Sequence, residues 1–185
     1  MGSEKENMLA GKRYGAFDAE LVAERANCRK TVELFNGCSS DDFAGRAKAL
    51  RKLLGICPKD AFIEPPFRCD YGYNISVGKR FYANFDCVFL DVNPIEIGDH
   101  VMMGPGVHIY TVNHPLDPVE RKTFDEYGQP VTIANNVWIG GKAIICPGVK
   151  IGENSVIGAG SVVTKDIPAN VMAAGNPCRV IKAIV

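Results

Sequence analysis

Three histidines stand among the 185 residues, at positions 100, 108 and 114, and the last of them ends an aliphatic run in "HIYTVNHPLDP", His108 to Pro118. Imidazole titrates near pH 6.5 when unperturbed, so it can accept a proton at neutral pH. Removing the proton from a weak nucleophile such as a hydroxyl typically speeds a reaction ~10²–10⁴-fold. His114 stands where a repeating pattern gives way to a His-Pro pair and a polar segment. A rigid element could hold the base at such a break while the segment covers it and lowers its wetness.

The element that must position His114 is a repeat of six. From Ile133 the chain parses without a gap into IANNVW, IGGKAI, ICPGVK, IGENSV, IGAGSV and VTKDIP. First places are Ile or Val, second places are often Gly, and fifth places are mostly small. Strand alternation turns the first and fifth places inward and the sixth outward. Each hexad then makes one short strand and one corner, where Gly and Asn tolerate positive φ. Three hexads close a triangular coil of about 18 residues, and stacked coils bury an aliphatic column while pairing their backbones. The frame recurs upstream as IGDHVM, MGPGVH and IYTVNH from Ile97, and more loosely as VGKRFY, ANFDCV and FLDVNP from Val77. The two stretches differ in phase by two residues, which predicts an irregular turn near "DVNPIE". No ten-residue helical pattern separates the strands, which excludes an ordinary parallel β/α sheet.

Residues 115–132, "PLDPVERKTFDEYGQPVT", leave the frame. Kept in it, they would send Pro115, Arg121 and Tyr127 into the core, and a guanidinium has no place in an aliphatic column. The segment is therefore an excursion, and loops of this length in compact domains are usually functional or disordered. His108 and His114 both fall at sixth places, which predicts outward positions on adjacent faces, one strand apart. His100 falls at a corner and is expected to be solvated. Residues 1–58 read as helical instead, with 59–178 as the β-helix and 179–185 as a tail. "DAELVAERANCRKTVELFN" sets Leu21, Ala23, Val32, Leu34 and Phe35 at helical spacing, closed by Gly37. A second helix is expected from an N-cap among Ser39, Ser40 and Asp41, with Phe43, Ala47, Leu50, Leu53 and Leu54 as its stripe and Gly55 and Pro58 ending it.

Composition narrows the function classes. Lys+Arg and Asp+Glu are both 21 and the formal net charge is zero, which argues against nucleic-acid binding and electrostatic membrane docking. The amino terminus lacks an apolar signal region, and seven scattered cysteines form no C-x-x-C. The expectation is a cytoplasmic chain with free thiols and no metal requirement.

The hexads, the "GNPCRVI" tail and the loop after "NHP" resemble the hexapeptide-repeat acetyltransferases. Within that superfamily, "FRCDYGYNI", "FYANFDCVFLDV", "GVHIYTVNHPLDPVER" and "NNVWIGG" look like the maltose O-acetyltransferase group, with galactoside and nodulation acetyltransferases as near relatives. The resemblance spans nearly the whole chain. It implies a left-handed β-helix, acetyl-CoA as co-substrate, a homotrimer, and acetyl transfer to a sugar hydroxyl, with His114 as the base. The hand comes from the resemblance alone, since parallel crossovers are otherwise right-handed.

The same resemblance implies further roles. Asn84 would bind the acceptor, although spacing alone favours a corner Asn in a permissive turn. Asp18 and Asp91 match acids that bind sugar hydroxyls, while an N-cap and an irregular turn are their alternatives. Asp70 and Tyr71 are weaker acceptor-side candidates. Some relatives carry an acid where this chain has Val92, which leaves the acceptor open. Trp138, at an outward sixth place, suits a ligand wall or an interface. Gly141, Ala159, Thr164 and Lys165 match the coenzyme A groove, and Lys165, Arg179 and Lys182 form a basic cluster for its phosphates. A γ-class carbonic anhydrase, also a β-helix with histidines, and a non-catalytic scaffold are the competing readings.

Overall fold

The computed structural model describes residues 2–184. The hexads fold as expected into a parallel β-helix with three faces. The first face stacks Phe62–Ile63, Tyr82–Ala83, Met102–Met103, Trp138–Ile139, Val156–Ile157 and Val171–Ala174, and Arg179–Ala183 closes it as an antiparallel seventh strand. The second face has five strands: Phe67–Cys69, Cys87–Leu90, His108–Tyr110, Ile144–Ile145 and Val162–Val163. The third has four: Ile75–Val77, Ile95–Ile97, Val131–Ile133 and Lys150–Ile151.

The core is the column of first and fifth places. Ile97, Val101, Met103, Val107, Ile109, Ile133, Val137, Ile139, Ala143, Ile145, Val149, Ile151, Ile157 and Val163 are all buried. At the small fifth places Ser155 and Ser161, the hydroxyls donate to the Pro168 and Gly158 carbonyls at 2.8 and 2.6 Å, so neither is left unpaired in the core.

The second-place glycines work by close approach rather than by positive φ. A Cβ on Gly140 would stand 2.5 Å from the Ala159 nitrogen of the next coil, and one on Gly152 would stand 2.4 Å from that of Ala169. Positive φ sits further along each corner, at His100, Asn136, Asn154 and Asn170 between the third and first faces. His100 is an exposed turn residue, as its corner place implied.

The edge between the second and third faces is built differently. The hexad frame slips there, as expected near "DVNPIE", and a bulkier polar corner replaces the tight turn. Asp91, Asn93 and Thr111 are buried in it. The Thr111 hydroxyl donates to the Leu90 carbonyl at 2.7 Å and accepts from the Asn93 N–H at 3.0 Å. The Asn93 side-chain amide donates to the Met8 carbonyl at 2.8 Å. This pins helix α1, Glu4–Leu9, whose capping box of Ser3 and Glu6 is a start signal the sequence reading passed over.

Helix α2, Ala19–Asn36, starts at the Asp18 cap and ends at Gly37 as expected. Its buried face is Leu21, Cys28, Thr31, Val32 and Phe35, so Ala23 and Leu34 do not belong to it. Helix α3, Phe43–Leu53, is capped by Asp42 rather than by the three residues before it. Phe43 is exposed, and Arg46 occupies the buried stripe beside Leu50 and Leu53, reaching the Glu64 carboxylate at 3.3 Å.

The excursion is ordered. It leaves through Val112–Asn113, forms the short helix α4, Pro118–Arg121, and returns through Asp125–Gly128, which pairs antiparallel with both Val112–Asn113 and Tyr14–Gly15. The coil resumes at Val131, two residues before the hexad frame suggested.

Gly140→Ala is expected to cost about 1–3 kcal/mol, because its Cβ meets backbone that cannot yield without parting two coils. Gly160, at φ +69 with open space around it, should accept Asn for less than about 1 kcal/mol. Denaturant unfolding of both variants tests this; equal effects would refute the close-approach account.

Candidate active site

His114 lies one residue past Val112–Asn113 and is about half exposed. The expected placement beside His108 on adjacent prism faces is corrected here. Val112–Asn113 belongs to the antiparallel hairpin, so His114 stands off the prism, whereas His108 stays on the second face. The His108 ring meets Tyr110 instead, with Nδ1 2.6 Å from the phenol oxygen.

His114 Nδ1 lies 3.2 Å from the Asp125 carbonyl. A carbonyl can only accept, so Nδ1 carries the hydrogen, and in the neutral ring the lone pair is then on Nε2. Nε2 faces Glu126 Oε1 at 3.8 Å. Glu126 also accepts from the Tyr14 hydroxyl, and Asp70 is close enough that burial first, and the Glu126 charge second, raise its carboxyl above the ordinary value. The half-exposed imidazole thus stands beside one partly buried carboxylate, Glu126, a setting suited to a base whose substrate carries hydroxyls.

The sequence reading missed Glu126. Its partner Tyr14 lies 112 residues away, and "DEYG" carries no mark of its own before the strands pair.

Asp91 was expected to bind acceptor, and the structure corrects this. It is fully buried, accepting from the Asp70 and Tyr71 N–H groups at 2.9 Å each and from Gly72 N–H at 2.7 Å. It therefore shapes the turn that presents Asp70. Tyr71 is buried too, its hydroxyl accepting from Arg25 at 2.5 Å, so it can act only through its neighbours. Asp18 caps α2, its carboxylate accepting from the Glu20 and Leu21 N–H groups at 3.0 and 3.4 Å. Val92 packs in the small core with Met8, Tyr14, Leu21 and Tyr71, so the acid of some relatives is here a core valine.

The remaining candidates separate onto two edges of the prism. Asn84, Gly141 and Ala159 follow first-face strands, on the edge toward the second face. Asn84 accepts from the Phe85 N–H at 2.8 Å, which leaves its amide nitrogen to donate elsewhere. Thr164 and Lys165 follow Val162–Val163, on the edge toward the third face from which the excursion with His114 leaves. Trp138 points outward from the first face, 53% exposed. Lys165 and Arg179 line one cavity of about 260 Å³, while Lys182 pairs with Met172 on the antiparallel closing strand, so the expected basic cluster is two residues with a third set apart.

Residues 7–58 match the maltose acetyltransferase hexapeptide capping motif, and residues 130–165 match the bacterial transferase hexapeptide. A maltose O-acetyltransferase structure from Clostridium difficile 630 superposes with a TM-score of 0.98 at 57% identity, covering 100% of this chain and 98% of that one. The chain belongs to the hexapeptide-repeat acetyltransferases of the maltose and galactoside O-acetyltransferase type. Its coil is accordingly the left-handed β-helix of that family. The galactoside O-acetyltransferase of Escherichia coli (strain K12) is 42% identical over 97% of this chain and 88% of its own. A galactoside acetyltransferase in complex with coenzyme A aligns at 40% identity with a TM-score of 0.96, over 100% of this chain and 92% of that one. Among the described residues of this family member, no helix is long and apolar enough to cross a membrane.

Burial pushes the Asp91 carboxyl up to about 7, against the pull of the Tyr71, Asp70 and Gly72 N–H groups. A raised carboxyl takes up a proton on folding, so its contribution is complete below 3.8 and is lost as pH rises through about 7. Asp91→Asn sets an amide donor against an N–H and should cost about 1–3 kcal/mol. It should also flatten the dependence of Tm on pH between about 4 and 7. A Tm–pH profile as steep as wild type would refute this assignment.

Proposed function

We propose that this chain transfers the acetyl group of acetyl-CoA to a sugar hydroxyl, a 6-hydroxyl of a maltose- or glucose-like acceptor, with His114 as general base. The observation that supports this reading is the setting of the ring: Nδ1 meets the Asp125 carbonyl, and Nε2 on the half-exposed side faces the Glu126 carboxylate. Nε2 takes the hydroxyl proton as the sugar oxygen attacks the thioester carbonyl. Backbone N–H groups stabilise the oxyanion, and the tetrahedral adduct collapses with loss of the thiolate, which recovers the proton from His114. Glu126 steadies the imidazolium in between. Asn84 and Asp70 orient the acceptor.

Direct transfer is favoured over an acetyl-cysteine intermediate. Cys69 and Cys87 lie in motif segments, yet both are buried. Burial pushes the Cys87 thiol up to about 11, and the thiol–thiol hydrogen bond with Cys28, with burial next, holds Cys69 up as well. Neither offers a thiolate at neutral pH.

The separation onto two edges supports a homotrimer with shared sites. One edge bears Asn84, Gly141 and Ala159, and the other bears His114, Thr164 and Lys165. A whole second face lies between them, so a site that uses both sets draws the second set from another copy. Trp138 and the small residues would then wall the pantetheine arm, with Lys165 and Arg179 meeting the phosphates and Lys182 beyond them.

His114→Ala should lower sugar-dependent thiol release from acetyl-CoA by at least ~100-fold, with coenzyme A binding retained. Inactive His114→Ala and Asn84→Ala chains, unfolded together and refolded as mixed oligomers, should regain activity, since one kind of junction carries both native residues. Mixed oligomers as inactive as their parents would overturn the shared site. Wild type that releases no thiol with any sugar would overturn the activity itself.

A further inference from the structure

Two exposed aromatic rings meet at the start of the strand whose Asp125 carbonyl holds His114. Phe17 is 76% and Phe124 63% exposed, and their rings meet edge to face, 6.1 Å between centroids at 79°. Strand pairing puts them there: Gly15 lies opposite Asp125, so the chain just past Gly15 and the residue just before Asp125 come out together. Asp125 is the residue whose carbonyl holds His114, and Phe17 adjoins Asp18.

Neither ring is buried in a core of the fold. Phe124 is held at φ +61, a left-handed conformation that a bulky side chain adopts only when its surroundings impose it. Glycine or asparagine would turn the chain here with less strain. Backbone strain of this kind collects at ligand sites. A strained and solvent-exposed phenylalanine is costly twice over.

We propose that Phe17 and Phe124 form an aromatic subsite for the sugar ring next to the reacting one, which makes the acceptor a disaccharide or longer glycoside rather than a free monosaccharide. This rests on the sugar O-acetyltransferase reading above. The C–H face of a pyranose matches an aromatic face, while its hydroxyls point outward to Asp18 and the solvent. The pair has the size of one ring. Two aromatic side chains offer about 300–500 Å², well below the roughly 1,200 Å² that a stable protein interface buries. The pair alone is too small to hold a second copy, and sedimentation of the variants tests whether it belongs to a larger interface.

The experiment compares kcat/KM for maltose and for glucose, with acetyl-CoA, in wild type, Phe17→Ala, Phe124→Ala and Phe124→Gly. Leu116→Ala, on the same excursion and 89% exposed, is the control. The maltose-to-glucose ratio should fall at least about fivefold in each phenylalanine variant, mostly through KM for maltose, and hold in the control. Phe124→Gly should lose the ratio while melting no lower than wild type, which separates a binding role from a folding one. An unchanged ratio overturns the subsite while leaving the acetyltransferase reading intact. Equal losses for both sugars, with a smaller oligomer in sedimentation, would also overturn it and assign the pair to an interface between copies. A wild type that acetylates neither sugar overturns the reading beneath it.

Discussion

Everything in this molecule depends on the contact distance between successive coils. The backbone of one turn hydrogen-bonds to the turns above and below, and the aliphatic column fills the space they enclose. Glycine at the second place keeps that distance, because a Cβ on Gly98, Gly104, Gly140 or Gly152 would stand within 2.8 Å of an atom in the next coil. A scaffold so tightly stacked has little freedom to move, and the groups it carries inherit that rigidity.

Chemistry needs something the regular coil does not supply, a concave and partly dry place. The edge between the second and third faces supplies it by abandoning the tight corner. Asp91, Asn93 and Thr111 replace aliphatic packing with a hydrogen-bonded polar core, and each has its partners inside the fold. On that support the amino-terminal arm and the excursion meet, through the short sheet that joins Tyr14–Gly15, Asp125–Gly128 and Val112–Asn113. The arm recognised by the capping-motif match thus does more than close the end of the prism. It contributes Tyr14 to Glu126, and so reaches His114 through a single carboxylate.

Much of the fold was legible because the hexad is local. A period of six fixes which side chains face inward, and the burial of Ile133 to Val163 follows it place by place. Helix α2 was legible at its ends, where caps are local, and less so along its face. Leu34 looks apolar at helical spacing yet is 65% exposed, because the prism lies against the other side of the helix. Helix α3 likewise buries Arg46 and exposes Phe43, with Arg46 turned toward Glu64 just past the strand Phe62–Ile63.

Sequence by itself determined the repeat, the place where it breaks, and the histidine at the break, since each is a matter of residue type at fixed spacing. Tertiary structure decided the rest. It moved His114 off the prism by pairing Val112–Asn113 with a strand beyond the excursion, and it brought in Glu126 from the same strand. It took Asp91 into the interior, set Asn84, Gly141 and Ala159 on one edge and His114, Thr164 and Lys165 on the other, and brought Phe17 against Phe124. The physical reason is common to all of these. Antiparallel pairing and burial join residues as much as 112 positions apart, and a period of six carries no information at that distance.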